Sequence, residues 1–166
     1  LPQSLVTTSI IIALFTRMSQ KAAAEDAEGV RDDLSLGLRS VAVFTVLFSA
    51  GIAVLAVPAL QVFVPSLSLA QAQASGVILT VLALGIVPQG IWSTSQRVML
   101  AYEDTKRLLL ADIPVGVVPV VVCATAYLVA PANHWMAWAA AGSVASQVTG
   151  SAVIMVLLRK HLPDLD

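Results

Sequence analysis

The sequence predicts an all-α integral membrane protein, a polytopic bundle of five transmembrane helices, from its composition and from the placement of its charges. The chain has 166 residues, of which 58% are hydrophobic and 11% charged, and its mean hydropathy is +0.88. Soluble domains carry about 25% charged residues. No Asp, Glu, Lys or Arg lies between Arg39 and Arg97, and His134 is the only charged or histidine residue between Asp112 and Arg159. Each of these runs is long enough for two spans of about 20 apolar residues.

The same composition excludes a soluble enzyme, a nucleic-acid-binding domain and a disordered chain. The net charge of −1 gives no reason to expect a polyanionic partner. Cys123 is the only cysteine, and His134 and His161 are isolated, so neither a disulfide nor a metal site is expected. No nucleophile–base arrangement or phosphate-binding glycine loop is present. We therefore expect no enzymatic activity and no cofactor.

Five hydrophobic segments set the predicted spans, which cover residues 1–16, 38–64, 72–100, 108–130 and 135–158. At ~1.5 Å per residue the first segment falls short of the ~30 Å hydrocarbon core. The beginning of the chain has no basic region and no cleavage site of a signal peptide. We therefore expect one membrane domain, 1–166, that is a piece of a longer protein with a truncated first span.

The connections between the spans predict the orientation. Short turns with Pro and Ser or Asn separate the second span from the third and the fourth from the fifth, whereas the connections 17–37 and 101–107 are polar. Alanines at 22–24, followed by apolar residues at 30, 34, 38 and 41, favour a helix that runs on into the second span. All nine Lys and Arg residues fall on the side of the two polar connections. The positive-inside rule then predicts that 17–37 and 101–107 are cytoplasmic loops.

Uncharged polar residues within the spans are the candidate functional positions. Gln3, Ser4, Thr7 and Thr8 form one helical stripe, which either lines a polar cavity or makes hydrogen bonds between helices. In the third span Pro88 precedes Gln89 and predicts a kink, either a transporter hinge or an ordinary membrane-helix kink.

Two further patterns concern packing. Gly142, Ser146 and Gly150 recur every four residues in the fifth span and predict close approach of a neighbouring helix. The aromatic residues predict an interfacial belt near the span ends, made of Trp92, Tyr102, Tyr127, Trp135 and Trp138.

Two stretches resemble the MurJ/MviN lipid II flippases of the MOP exporter superfamily. One is similar to the family's "LP…ALFPxLS" helix and comprises Leu1-Pro2-Gln3-Ser4 and Ala13-Leu14-Phe15-Thr16-Arg17-Met18-Ser19. The other resembles a cytoplasmic loop in which a hydrophobic-aromatic step precedes Asp-Thr-Lys or Asp-Thr-Arg, and it reads Arg97-Val98-Met99-Leu100-Ala101-Tyr102-Glu103-Asp104-Thr105-Lys106. The order of spans and loops resembles helices eight to twelve of a fourteen-helix flippase, which would make the chain part of its second lobe.

The resemblance implies transport of a lipid-linked peptidoglycan precursor, lipid II, by alternating access across the bacterial cytoplasmic membrane. The implied partners are this undecaprenyl-pyrophosphate-linked lipid, the membrane lipids and the remaining helices of the same transporter, with no nucleic acid. Cavity-lining candidates are then Gln3, Ser4, Thr7, Thr8 and Gln89. Arg17 either meets the pyrophosphate or only anchors the topology. The loop motif Asp104, Thr105 and Lys106 is expected to shape the turn and cap the fourth helix.

Two alternatives remain open from the sequence. One is another exporter of the same superfamily, for a polysaccharide lipid or a drug. The other is a membrane scaffold without a transport role, held together by the packing of small residues.

Overall fold

The computed structural model describes residues 15–131 and 134–160, and all regular structure in these ranges is helical. Residues 15–23 form a helical segment, which is followed by α1 (Ala27–Phe63), α2 (Leu69–Leu84), α3 (Ile86–Ala101), α4 (Thr105–Val129) and α5 (Trp135–Leu158). Four helical stretches are long and apolar enough to cross a membrane: α1, the pair α2 and α3, α4, and α5. The predicted all-α membrane bundle is confirmed. The first predicted span, 1–16, lies almost entirely outside the described residues.

Helical structure also extends through most of the polar connection at 17–37. Only a short turn at 24–26 separates the helical segment 15–23 from α1. Asp26 is the N-cap of α1, and its side chain accepts a hydrogen bond from the Gly29 amide at 2.9 Å. An Asp in this position satisfies one of the amides that has no partner inside the helix. The charges of this stretch are therefore held on helices rather than on a flexible loop.

The turn between α3 and α4 has the same backbone features as the turn at 24–26. Glu25 and Glu103 have positive φ angles of 58° and 54°, and an aspartate follows each of them. In both turns the aspartate amide donates to the carbonyl five residues earlier, at 3.0 Å for Asp26 and 3.1 Å for Asp104. This bond is typical of a Schellman ending. Each aspartate therefore completes the end of one helix and caps the beginning of the next.

The third predicted span is interrupted at Gly85, where α2 ends and α3 begins. Pro88 has no amide hydrogen for the Leu84 carbonyl, and its ring disfavours a straight helix at that point. Ser49 on α1 donates its hydroxyl to the neighbouring Ala83 carbonyl at 2.7 Å. The helix is therefore interrupted three residues before Pro88, and a hydrogen bond joins this interruption to α1.

The small residues of α5 pack against α4, as predicted. A side chain at Gly142 would meet Val122 at 3.1 Å, and one at Gly150 would collide with Val115. Ser146, between them, donates its hydroxyl to the Val115 carbonyl at 2.9 Å. That carbonyl lacks its usual intrahelical donor because the residue four positions later is Pro119. The Ser146 hydroxyl therefore replaces the backbone donor that the Val115 carbonyl lacks within α4.

The main apolar core lies at one end of the bundle. We call this the cationic end: here α1 and α4 begin, α3 and α5 end, and the segment 15–23 packs. The buried cluster comprises Met18, Val30, Leu34, Trp92, Val98, Met99, Leu108, Ala111, Ile154 and Leu158. Trp92 was expected in the interfacial belt, and that expectation was wrong, because its ring packs beside Gly150 in this core. At the opposite end Phe63, Leu128 and Val129 are exposed, as suits surfaces that meet lipid or further helices.

Candidate functional site

A buried carboxylate paired with two cations is the most distinctive polar feature of the cationic end. Asp33 of α1 receives Arg17 Nη2 on Oδ1 at 3.1 Å and Lys21 Nζ on Oδ2 at 2.9 Å. Both cations come from the helical segment 15–23. We call Arg17, Lys21 and Asp33 the ion-pair triad. Its two ion pairs hold the segment 15–23 against α1.

The three members of the triad differ in their access to solvent. The Asp33 side chain is only 4% exposed, whereas those of Lys21 and Arg17 are 30% and 60% exposed. The contact of Lys21 with Oδ2 is an ion pair without hydrogen-bond geometry. A carboxylate removed from water needs nearby positive charge, and losing that charge is costly. The triad therefore combines a fixed, buried anion with an arginine that still faces outward.

Local sequence explains how Lys21 reaches the triad. Its ammonium also donates to the Gly29 carbonyl at 3.1 Å, one turn before Asp33 on α1. A Cβ atom at Gly29 would lie 2.9 Å from Lys21 Cδ and would collide with the Asp26 carboxylate. Glycine at this position therefore lets the lysine stem lie across the first turn of α1.

Two further contacts hold the segment 15–23 in place. Met18 is buried in the core cluster, and the Arg97 guanidinium lies 5.8 Å from the centre of the Phe15 ring. A cation at this distance from an aromatic face is attracted to it. Arg97 belongs to α3, so the segment is bound to α3 as well as to α1.

The turn at 24–26 and the turn between α3 and α4 lie at the same end, and the charge of Asp26 in the first acts on Tyr102 in the second. Tyr102 directly follows the second membrane-length stretch, the pair α2 and α3, and packs against the core cluster. Burial, and secondly the negative charge of Asp26, raise the pKa of Tyr102 above its ordinary value. The phenol therefore stays neutral at physiological pH.

The predicted loop motif has a structural role at its first position. Asp104 is the N-cap of α4: its Oδ1 accepts the Arg107 amide at 3.2 Å, and its Oδ2 pairs with the Arg107 guanidinium at 3.0 Å. Thr105 and Lys106 form the exposed first turn of α4. The motif thus orders the turn at the cationic end.

The candidate cavity residues are only partly described. Gln3, Ser4, Thr7 and Thr8 lie outside the described residues. Gln89 is exposed on α3, next to Gly90, which packs tightly against Val41 and Thr45 of α1. Gln89 precedes Arg97 by eight residues, about 12 Å along α3. Arg97 in turn contacts Phe15, which belongs to the same helical segment as two members of the triad. The structure therefore places Gln89 and the triad at different depths of the same bundle.

Sequence reasoning missed Asp33 and Lys21, which it counted only among the loop charges. A signal for Asp33 was present. Asp33 lies three residues after Val30 and next to Leu34, both in the apolar pattern of α1, so an aspartate occupies the face that is otherwise buried. A charge at such a position requires a partner of opposite sign.

Comparison with known proteins gave one positive result. The family model described as "Lipid II flippase MurJ" matches residues 1–165. No curated protein matches the chain, and no solved structure matches it. Since the family model spans almost every residue, including both stretches that resemble the family, the chain belongs to the MurJ family of lipid II flippases.

Proposed function

We propose that this chain forms part of the second lobe of a transporter that flips lipid II, the undecaprenyl-pyrophosphate-linked peptidoglycan precursor, by alternating access. The family is one of transporters rather than enzymes, and the protein is a multi-pass protein of the bacterial cytoplasmic membrane. In this proposal the five spans are helices eight to twelve, and the remaining helices of the transporter complete a central polar cavity. The match to the family model is the observation that carries the proposal.

The orientation belongs to the proposal: the cationic end faces the cytoplasm. All nine Lys and Arg residues of the chain favour this direction. In a variant with Cys123 replaced by alanine, a cysteine at exposed Glu28 should be shielded from an impermeant thiol reagent in intact cells. A cysteine at Ser66, in the exposed turn between α1 and α2, should react. The reverse labelling pattern would contradict the orientation.

We propose that Arg17 meets the pyrophosphate. Its guanidinium is held at one edge by Asp33, while most of the side chain stays exposed. A guanidinium offers five donors, so it pairs with a carboxylate and still presents donors to phosphate oxygens. Lys21 also pairs with Asp33, so Arg17 is able to turn to a ligand without leaving Asp33 uncompensated.

The interruption at Gly85 supports the proposal that this lobe changes conformation during alternating access. It lies between α2 and α3, just before Gln89, where the intrahelical hydrogen bonding is reduced. Broken helices near the membrane midplane are typical of transporters. We propose that Gln89, with Gln3, Ser4, Thr7 and Thr8, lines this lobe's side of the cavity.

Replacing Arg17 by glutamine tests the substrate contact. We expect lipid II translocation by the transporter to fall roughly tenfold, the effect of losing a charge-assisted hydrogen bond. Arg17→Lys should restore part of the rate, because it keeps the charge without the planar fork. The free energy of unfolding should change by less than about 1 kcal/mol, because the Arg17 side chain is largely exposed.

The matched control is Arg159→Gln, which removes an exposed cation from the same end. It should leave translocation unchanged. Wild-type translocation by Arg17→Gln would show that Arg17 is only a topology anchor.

A further inference from the structure

A cavity of about 490 Å³ opens at the cationic end between α1 and α5, apart from the ion-pair triad. Arg31, Ser35 and Arg39 of α1 line its polar side, together with Asp32. Two leucines of α1 and Met155 of α5 form its apolar side. The cavity is therefore amphipathic.

The two arginines are available for a ligand. Both are exposed, and within the described part of the chain neither forms an ion pair, whereas Arg17 and Arg107 do. They are eight residues apart on α1, so their Cα atoms are separated by about 12 Å along the axis, a span that two extended arginine side chains bridge. Asp32 offsets one of the charges, which leaves the lining with a net positive charge.

Ser35 adds a hydroxyl between the arginines. Its Oγ donates to the Asp32 carbonyl at 3.0 Å, so the oxygen is fixed on the wall of the cavity. Arginine and serine side chains commonly bind phosphate oxygens.

The depth of the cavity identifies the kind of molecule that fits. Arg39 is the last charged residue before the apolar run of α1, and Arg31 lies two turns outside it. The cavity thus crosses the level at which lipid phosphates meet acyl chains. Its apolar side suits the first carbons of an acyl chain, which a free phosphate ion does not have. Basic pockets between membrane helices are known to hold the headgroups of anionic lipids.

We infer that this cavity binds the phosphodiester headgroup of an anionic phospholipid of the surrounding leaflet. The lipid would lie between α1 and α5 as a bound component of the lobe, and it is distinct from the lipid that is flipped. Its binding does not depend on translocation.

The test uses the intact protein in nanodiscs of phosphatidylcholine that contain increasing fractions of phosphatidylglycerol. Bound phosphatidylglycerol is counted by native mass spectrometry after release from the nanodisc. The double variant Arg31→Gln/Arg39→Gln should bind it more weakly, by about fivefold for each arginine removed. The control Arg159→Gln/Lys160→Gln removes two exposed cations from the same end outside the cavity and should bind as the wild type does.

Two further arms separate the possible outcomes. Arg31→Lys/Arg39→Lys keeps the charges and should recover most of the binding. Inorganic phosphate added to phosphatidylcholine nanodiscs should not occupy the site. Equal loss of binding in the cavity and control variants, unchanged binding in the cavity variant, or binding of inorganic phosphate alone would each overturn the inference.

Discussion

Replacing both Arg17 and Lys21 by methionine is expected to destabilise the bundle by about 3–5 kcal/mol, the cost of leaving a buried charge without its partner. Asp33 would remain almost fully buried, and within the described residues these are its two ion-pair partners. The helical segment 15–23 would also lose its fastening to α1. Thermal or denaturant unfolding in detergent, followed by circular dichroism, measures the change.

A third substitution separates the ion-pair triad from a general effect of removing positive charge. Adding Asp33→Leu to the double variant should recover most of the lost stability, because an apolar side chain of similar size needs no counter-charge. The control pair Arg159→Met/Lys160→Met should change the free energy of unfolding by less than about 1 kcal/mol, because both residues are exposed. If Asp33→Leu gives no recovery, the triad is not a buried charge cluster.

The second large effect is expected at Gly150, where α3, α4 and α5 meet. A Cβ atom at this position would collide with Val115 of α4 and would lie 3.3 Å from the Trp92 ring of α3. Gly150→Ala should therefore destabilise the bundle by about 1–3 kcal/mol through overpacking, even though alanine favours helix. The same unfolding measurement applies.

Gly116 of α4 is the matched control, because a Cβ atom there would meet nothing within 4 Å. Gly116→Ala should be neutral or stabilising by up to about 1 kcal/mol through helix propensity. Equal effects of the two substitutions would mean that the small residues of α5 do not set the helix spacing.

Much of the fold could be predicted because membrane helices follow from the length of apolar runs. The interruption near Pro88 and the packing of Gly142, Ser146 and Gly150 were also predictable, since proline and small residues act through local backbone geometry. The bond from Ser146 to the Val115 carbonyl was not, because it joins two helices whose register the sequence does not state.

The polar site was harder to predict for the same reason. Asp33 becomes a buried anion only because the segment 15–23 turns back onto α1 at Glu25, a non-glycine residue with positive φ. Nothing in the local sequence marks that turn as a sharp reversal. The prediction that Trp92 lies in the interfacial belt was wrong because it used only the distance of Trp92 from the end of its span. The neighbouring helices that bury the ring were not known from the sequence.

Depletion of the intact transporter in living cells, followed by measurement of lipid II translocation across the cytoplasmic membrane, tests the central claim most directly. If the chain is part of a lipid II flippase, translocation should fall, lipid II should accumulate in the inner leaflet, and the wild-type gene should restore both. Normal translocation and normal peptidoglycan after depletion would contradict the claim and would favour a different cargo or a scaffold role.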